Sequence, residues 1–198
     1  MSTSDEAAVA RATAPVEVPA AALDAIARDF TRQMARGLVG EPSSLRMLRT
    51  FTRQPSGRER GRVVAVDWGG TKGRASLVEL AGDGAVRAGT EDAFTFSEAL
   101  KRGPAERVFD ALAAAVGRIV DAQPPAEYPL GLAYSYPARI ERLDRALALP
   151  LTKGWNLTGL EGQDVAALLN DALERRGLGR LGVRAVANDT VAALVLAT

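Results

Sequence analysis

A chain of 198 residues and 20.8 kDa, 47% apolar and 25% charged, is long enough for one domain with a substantial core and too short for most two-domain enzymes. Its 25 basic and 24 acidic residues leave a formal charge of +1, which gives no basis for a surface that coats nucleic acid or lipid. The complete absence of Cys and His excludes disulfides, thiolate and imidazole metal sites, and Ser-His-Asp or Cys-His catalysis, so acid-base work falls to Asp, Glu, Lys or Tyr. No apolar run approaches the ~18 residues of a membrane span, and Asp5 and Glu6 stand where a secretory leader carries positive charge. The expectation is a soluble cytoplasmic protein that recognises neither membrane nor nucleic acid.

Residues 1–20, rich in Ala, Ser, Thr and Pro, read as a mobile leader. Leu23, Ile26, Phe30 and Met34 then recur at helical spacing until Gly37, Gly40 and Pro42, which predicts one amphipathic helix that needs a surface to lie against. Between Leu45 and Arg62 come six arginines with Glu59 the only acid. That stretch reads as a solvated connector or as an anion-binding arm, and the near absence of stacking aromatics favours the connector.

From there strand and helix alternate. Val63 to Val66, Ala75 to Leu80 and Ala85 to Thr95 are three successive strands, the last two separated by Gly82-Asp83-Gly84. Pro104 opens a helix with an inward stripe of Val108, Leu112, Val116 and Ile119, closed before Pro124-Pro125. Leu130 to Ser135 follows as a strand, Val165 to Arg176 as a helix capped by Gly177, and Val183 to Ala187 as a strand entering a last helix at Asn188. The order β-β-β-α-β-α-β-α implies an α/β layer structure with a mixed sheet, antiparallel at first and parallel after the crossovers. Ligands of such a sheet gather at the carboxyl ends of its parallel strands, which selects Asp67 to Arg74, Ser135 to Pro137 and Asn188 to Thr190.

In VVAVDWGGTKGR, Asp67 follows the strand directly, and Gly69, Gly70, Thr71, Lys72 and Arg74 surround one concavity with amide, hydroxyl and cationic donors. This suits phosphoryl oxygens, and Asp67 could hold magnesium through its waters; an ordinary hairpin turn is the other reading. Only three lysines occur among the 25 basic residues, and two of them, Lys72 and Lys153, lie in candidate site loops. GLGRLG, with Gly177, Gly179 and Gly182, matches a dinucleotide pattern but follows a helix and precedes a strand, so it reads as a helix cap and turn. In AVANDT, Asn188 and Asp189 read equally as a helix cap or as a carboxylate placed to take a proton from a substrate hydroxyl.

Taken in order, SLRMLRTF, VDWGGTKGR, AYSYP, LTKGWNLTGLEGQDVAALL and VANDTVAAL give the chain from about Leu23 to Thr198 a resemblance to the hexokinase family of the actin-like ATPase superfamily. The resemblance implies a ribonuclease H-like (actin-like ATPase) domain over 62–198, preceded by a helix and connector over 21–61. It implies phosphorylation of the 6-hydroxyl of a glucose-like hexose by ATP and Mg2+. Asp189 would be the general base, Ser135, Tyr136, Thr152, Lys153 and Asn188 would meet the sugar, and Asp67, Gly69, Gly70, Thr71, Lys72 and Arg74 would meet the phosphates and magnesium. Lys72 and Gly73 replace the family's usual Asn and Phe, and Trp68 and Tyr136 replace residues more often Leu and Phe. The resemblance also implies that the larger second domain of the cleft is missing, so the chain alone is expected to be inactive. A sugar-binding or regulatory module without turnover is the alternative.

Overall fold

The computed structural model describes residues 18–121, 123 and 126–197. The expected leader lies outside the described residues except at 18–20, and Pro124-Pro125 lie outside them as well. Two compact units divide between Met47 and Leu48.

In the first unit, α1 spans Ala20–Leu38, an Ala-rich run whose apolar residues recur every three or four positions. It ends because Gly40 takes φ +78°, the left-handed conformation that glycine adopts at little cost. The Gly40 N–H then donates to Gly37 O and the Glu41 N–H to Arg36 O, closing the last turn as a Schellman motif. Ser43 Oγ donates to Gln33 O at 2.7 Å, so the chain folds back along the helix. The expected apolar stripe is present but stays open, with Leu23, Ile26 and Phe30 all more than half exposed.

The second unit is built on a five-stranded sheet: β1 Arg60–Trp68, β2 Lys72–Ala81, β3 Val86–Thr95, β5 Leu130–Tyr134 and β9 Val183–Ala187. The spatial order is β3-β2-β1-β5-β9. β1, β2 and β3 pair antiparallel, whereas β5 runs parallel to both β1 and β9. This is the mixed sheet expected from strand order, because two short hairpin turns can only reverse the chain and the helical crossovers restore its direction. Helices α3 Ala105–Val120 and α4 Val165–Arg175 cover one face. Val108, Leu112, Val116 and Ile119 are all buried, as their spacing requires, at roughly 1.5–3 kcal/mol of burial free energy each. Gly177 closes α4 in a second Schellman motif, with Gly177 N–H on Glu174 O and Leu178 N–H on Leu173 O, so GLGRLG is the helix end it was read to be.

The sequence reading lacked five small pieces. A one-turn helix α2, Glu98–Lys101, leads into β4, Arg102–Pro104, which pairs in parallel with β8, Asn156–Thr158. β6, Ala138–Arg142, and β7, Arg145–Ala148, form a hairpin after the β5 loop. These strands are only three to five residues long, too brief for any alternation to stand out in the sequence, so they depend on their pairing neighbours. The arginine-rich stretch has no regular structure before β1 and contains a local turn, in which Glu59 accepts from the Ser56 N–H and Oγ, both at 2.8 Å. Those hydrogen bonds pull the Glu59 carboxyl down to about 2.

Candidate active site

The carboxyl ends of β1, β5 and β9 lie side by side, and each runs directly into one of the segments singled out above. After β1 comes the loop Gly69 to Thr71, after β5 comes Ser135-Tyr136-Pro137, and after β9 comes Asn188 followed by helix α5, Asp189–Ala197. A fourth segment, Thr152 to Trp155, joins them through hydrogen bonds. The Trp155 N–H donates to Thr152 O at 3.3 Å across a turn whose central residues, Lys153 and Gly154, have φ of 59° and 80°. Both values are left-handed, as in a type I′ turn, and a lysine in that conformation is strained. Such strain persists only where surrounding contacts hold it. Lys153 Nζ donates to Ser135 O at 3.2 Å and lies 5.3 Å from the centre of the Tyr136 ring.

Asn188 is the junction between β9 and α5. Its Nδ2 donates to Tyr134 O at 3.2 Å, and its Oδ1 accepts from the Thr190 N–H at 3.0 Å. The capping role is therefore real, and it fixes where the next residue starts the helix. Asp189 is exposed there. Partial burial works to raise its carboxyl, yet the Ser135 hydroxyl, the amide and hydroxyl of Thr190 and the Lys153 ammonium outweigh it and hold the group below its ordinary 3.8. Asp67 goes the other way. Desolvation at the end of β1 raises it, Arg74 opposes the rise, and the charge of Asp189 adds to it. Ser135, only 7% exposed, is the one buried polar residue among those described.

Neither Gly69 nor Gly70 has positive φ, so neither needs glycine for a left-handed backbone. Both have close neighbours. A Cβ on Gly69 would meet Lys72 O at 3.2 Å, and one on Gly70 would meet Lys153 Cδ at 3.3 Å. Gly73, the register partner of Trp68, is more constrained still, because a Cβ there would lie 2.5 Å from Phe94 and 2.9 Å from Phe96.

Behind the loop stands an aromatic cluster. The Trp68 indole has Phe109 at 5.2 Å, Tyr134 at 5.3 Å, Trp155 at 5.5 Å and Tyr136 at 5.8 Å between ring centres. Tyr136 is only 2% exposed, and its hydroxyl donates to Gly69 O at 3.1 Å. Trp155 Nε1 donates to Gly70 O, also at 3.1 Å. Burial pushes the Tyr134 and Tyr136 phenols upward, so both stay protonated; Tyr136 donates to Gly69 O, whereas the buried Tyr134 Oη has no hydrogen-bond partner among the described residues.

All the sequence-selected residues therefore lie along one sheet edge, though not in equal contact. Ser135, Lys153 and Asp189 are joined electrostatically, and Asp67 and Arg74 are register partners on β1 and β2. The Arg74 guanidinium also lies 3.7 Å from Glu91. Lys72, Thr71 and Thr152 are exposed, and among the described residues Lys72 forms no ion pair. Trp155 was not selected from sequence. Its signal was available: a Trp beside a polar turn buries its ring and must find an acceptor for one N–H.

One lowered carboxyl, one desolvated carboxyl, a lysine and a close-packed glycine loop thus share the carboxyl-end edge of a mixed α/β sheet. The chain belongs to the hexokinase family, whose "Hexokinase" profile matches residues 8–198. It is 39% identical to hexokinase-3 of Rattus norvegicus over 188 residues, covering 92% of this chain and 20% of that protein. It is 30% identical to hexokinase-1 of Schizosaccharomyces pombe over 182 residues, covering 90% of this chain and 37% of that one. The hexokinase from Schistosoma mansoni complexed with glucose superimposes with a TM-score of 0.71 at 30% identity, over 84% of this chain and 39% of that chain. The chain thus spans about a fifth of the length of the mammalian relatives it matches.

Proposed function

We propose that these residues form the small-domain side of a hexose kinase cleft, transferring a phosphoryl group from ATP to the 6-hydroxyl of a glucose-like sugar. The observation that carries this reading is geometric: Asp189, placed by the Asn188 cap, shares the carboxyl-end edge of β1, β5 and β9 with Ser135, with Lys153, which is bonded to Ser135 O, and with Asp67 and the glycine loop. Asp189 stays ionised at neutral pH and is the base that receives the sugar hydroxyl proton. Ser135, Thr152, Lys153 and Asn188 supply polar groups around it for the remaining hydroxyls. Lys153 also places a positive charge beside the oxygen that attacks.

A magnesium-nucleotide fits the other half of the edge. Gly70 and Thr71 N–H have no acceptor among the described residues, and Thr71, Lys72 and Arg74 add donors to the same turn. Among the described residues no three acidic groups cluster as a metal cage, so magnesium would come with the nucleotide and be held by Asp67 through water. The bound ion would neutralise charge on the transferring phosphoryl. A second domain would close the cleft, supply the rest of the sugar and adenosine contacts and exclude water. A cytoplasmic location is part of this reading, and no described helix is long and apolar enough to cross a membrane.

The test is glucose-dependent ADP release by the complete gene product and its Asp189→Asn variant. A fall in kcat of roughly 10²–10⁴ is expected from losing the base. Unchanged turnover in the variant would remove Asp189 from the chemistry.

A further inference from the structure

The carbonyl groups of Gly69 and Gly70 are both held from behind by aromatic donors of the sugar-side loops, Tyr136 Oη and Trp155 Nε1, each at 3.1 Å. The peptide bonds of the described residues are all trans, and in a trans peptide the C=O and N–H lie in one plane and point in opposite directions. Fixing the Gly69 carbonyl toward Tyr136 therefore turns the Gly70 N–H to the opposite face of the loop. Fixing the Gly70 carbonyl toward Trp155 does the same for the Thr71 N–H. These are the two loop amides with no acceptor among the described residues; the neighbouring Gly69 N–H is already spent on Lys72 O.

Glycine makes this control necessary as well as feasible. Two adjacent residues without Cβ have little intrinsic preference for either orientation of the plane between them. The donors that choose the orientation are rigid, because Tyr136 and Trp155 pack on each other at 5.7 Å and both pack on Trp68. Trp155 is itself placed by the left-handed Lys153-Gly154 turn, and Lys153 Nζ is tied to Ser135 O, one residue before Tyr136.

We propose that Tyr136 and Trp155 are positioning residues for the phosphate loop, setting the peptide planes of Gly69-Gly70 and Gly70-Thr71 so that two N–H groups face a polyanionic phosphate. The proposal rests on reading that loop as the phosphate site. It adds that the groups preparing it come from the loops assigned to the sugar. The expected signature is a loss of phosphate affinity on deleting either donor while keeping an aromatic ring in its place.

The experiment titrates the labelled 198-residue chain with inorganic tripolyphosphate and follows backbone amides by NMR, with glucose as a second titrant. In the wild-type chain the Gly70 and Thr71 amides shift saturably with tripolyphosphate. Tyr136→Phe and Trp155→Phe each weaken that binding about 3- to 10-fold, the change expected from one hydrogen bond, and weaken glucose binding less. If wild type binds at these amides and both variants bind as tightly, the positioning role is overturned and the phosphate reading stands. Equal weakening toward both ligands indicates general loosening and also overturns the positioning role. If tripolyphosphate leaves both amides of the wild-type chain unmoved, the phosphate reading fails and the proposal fails with it. Should Trp155→Phe not fold, Tyr136→Phe, which removes one oxygen atom, carries the test alone.

Discussion

Asp67 and Asp189 reach the same edge from β1 and from the start of α5, and the charge of Asp189 is one of the forces that raise the Asp67 carboxyl. The influence is one of repulsion across the site, so each carboxyl reports on the other. In a carboxyl-detected NMR titration, Asp67 is expected to titrate above 3.8 and Asp189 below it. Asp189→Asn should move the Asp67 midpoint down, and loss of the Arg74 charge should move it up. An Asp67 midpoint that ignores both substitutions would mean that the three groups do not share a field.

The same displacements have opposite consequences for folding. The raised Asp67 contributes stability below 3.8 that disappears as pH rises through its folded value, whereas the lowered Asp189 contributes stability above 3.8 that disappears as pH falls through its folded value. Asp67→Asn should therefore stabilise the chain at pH ~7 relative to pH ~3, and Asp189→Asn should do the reverse, as read from urea midpoints at the two pH values. Matching pH dependence in the two variants would contradict the opposite signs.

Gly73 faces the edges of Phe94 and Phe96 across the sheet register from Trp68. Gly73→Ala should cost about 1–3 kcal/mol, because the added methyl needs the space those rings fill. Urea denaturation measures it. An unchanged midpoint would show that the rings yield freely.

Lys153 carries a left-handed φ of 59° at the centre of the site. Lys153→Ala and Lys153→Gly both remove the amine, and they differ in the β-carbon that opposes this conformation. Lys153→Gly should be the more stable of the two by about 1 kcal/mol. The reverse order of thermal midpoints would contradict the turn geometry.

Much of this was readable from residue order because the physics behind it is local. Val63 to Val66 and Val183 to Ala187 read as short strands, and both are, with Val64, Val66, Val183 and Val186 buried and Ala65 and Arg184 exposed. Gly177 followed a helical stripe and caps it. Asp67, Ser135, Asn188 and Asp189 were findable because strand ends are where an α/β sheet keeps its free amides and helix starts. What remained hidden depends on partners distant in sequence. Tyr136 was assigned to the sugar, yet its side chain is buried and its hydroxyl reaches Gly69, 67 residues away. The bond from Trp155 to Gly70 spans 85 residues. The close approach of Lys153 Cδ to Gly70 likewise joins segments far apart in sequence. No periodicity encodes such contacts.

The central claim is that this edge binds hexose through Ser135, Lys153, Asn188 and Asp189. Amide NMR of the 198-residue chain titrated with glucose tests it most directly. Saturable shifts confined to Ser135, Thr152 to Gly154 and Asn188 to Thr190 are expected, with affinity in the millimolar range or weaker because domain closure normally supplies the remaining sugar contacts and excludes water. Glucose-dependent shifts elsewhere with these amides unmoved, or none at concentrations well above millimolar, would contradict it.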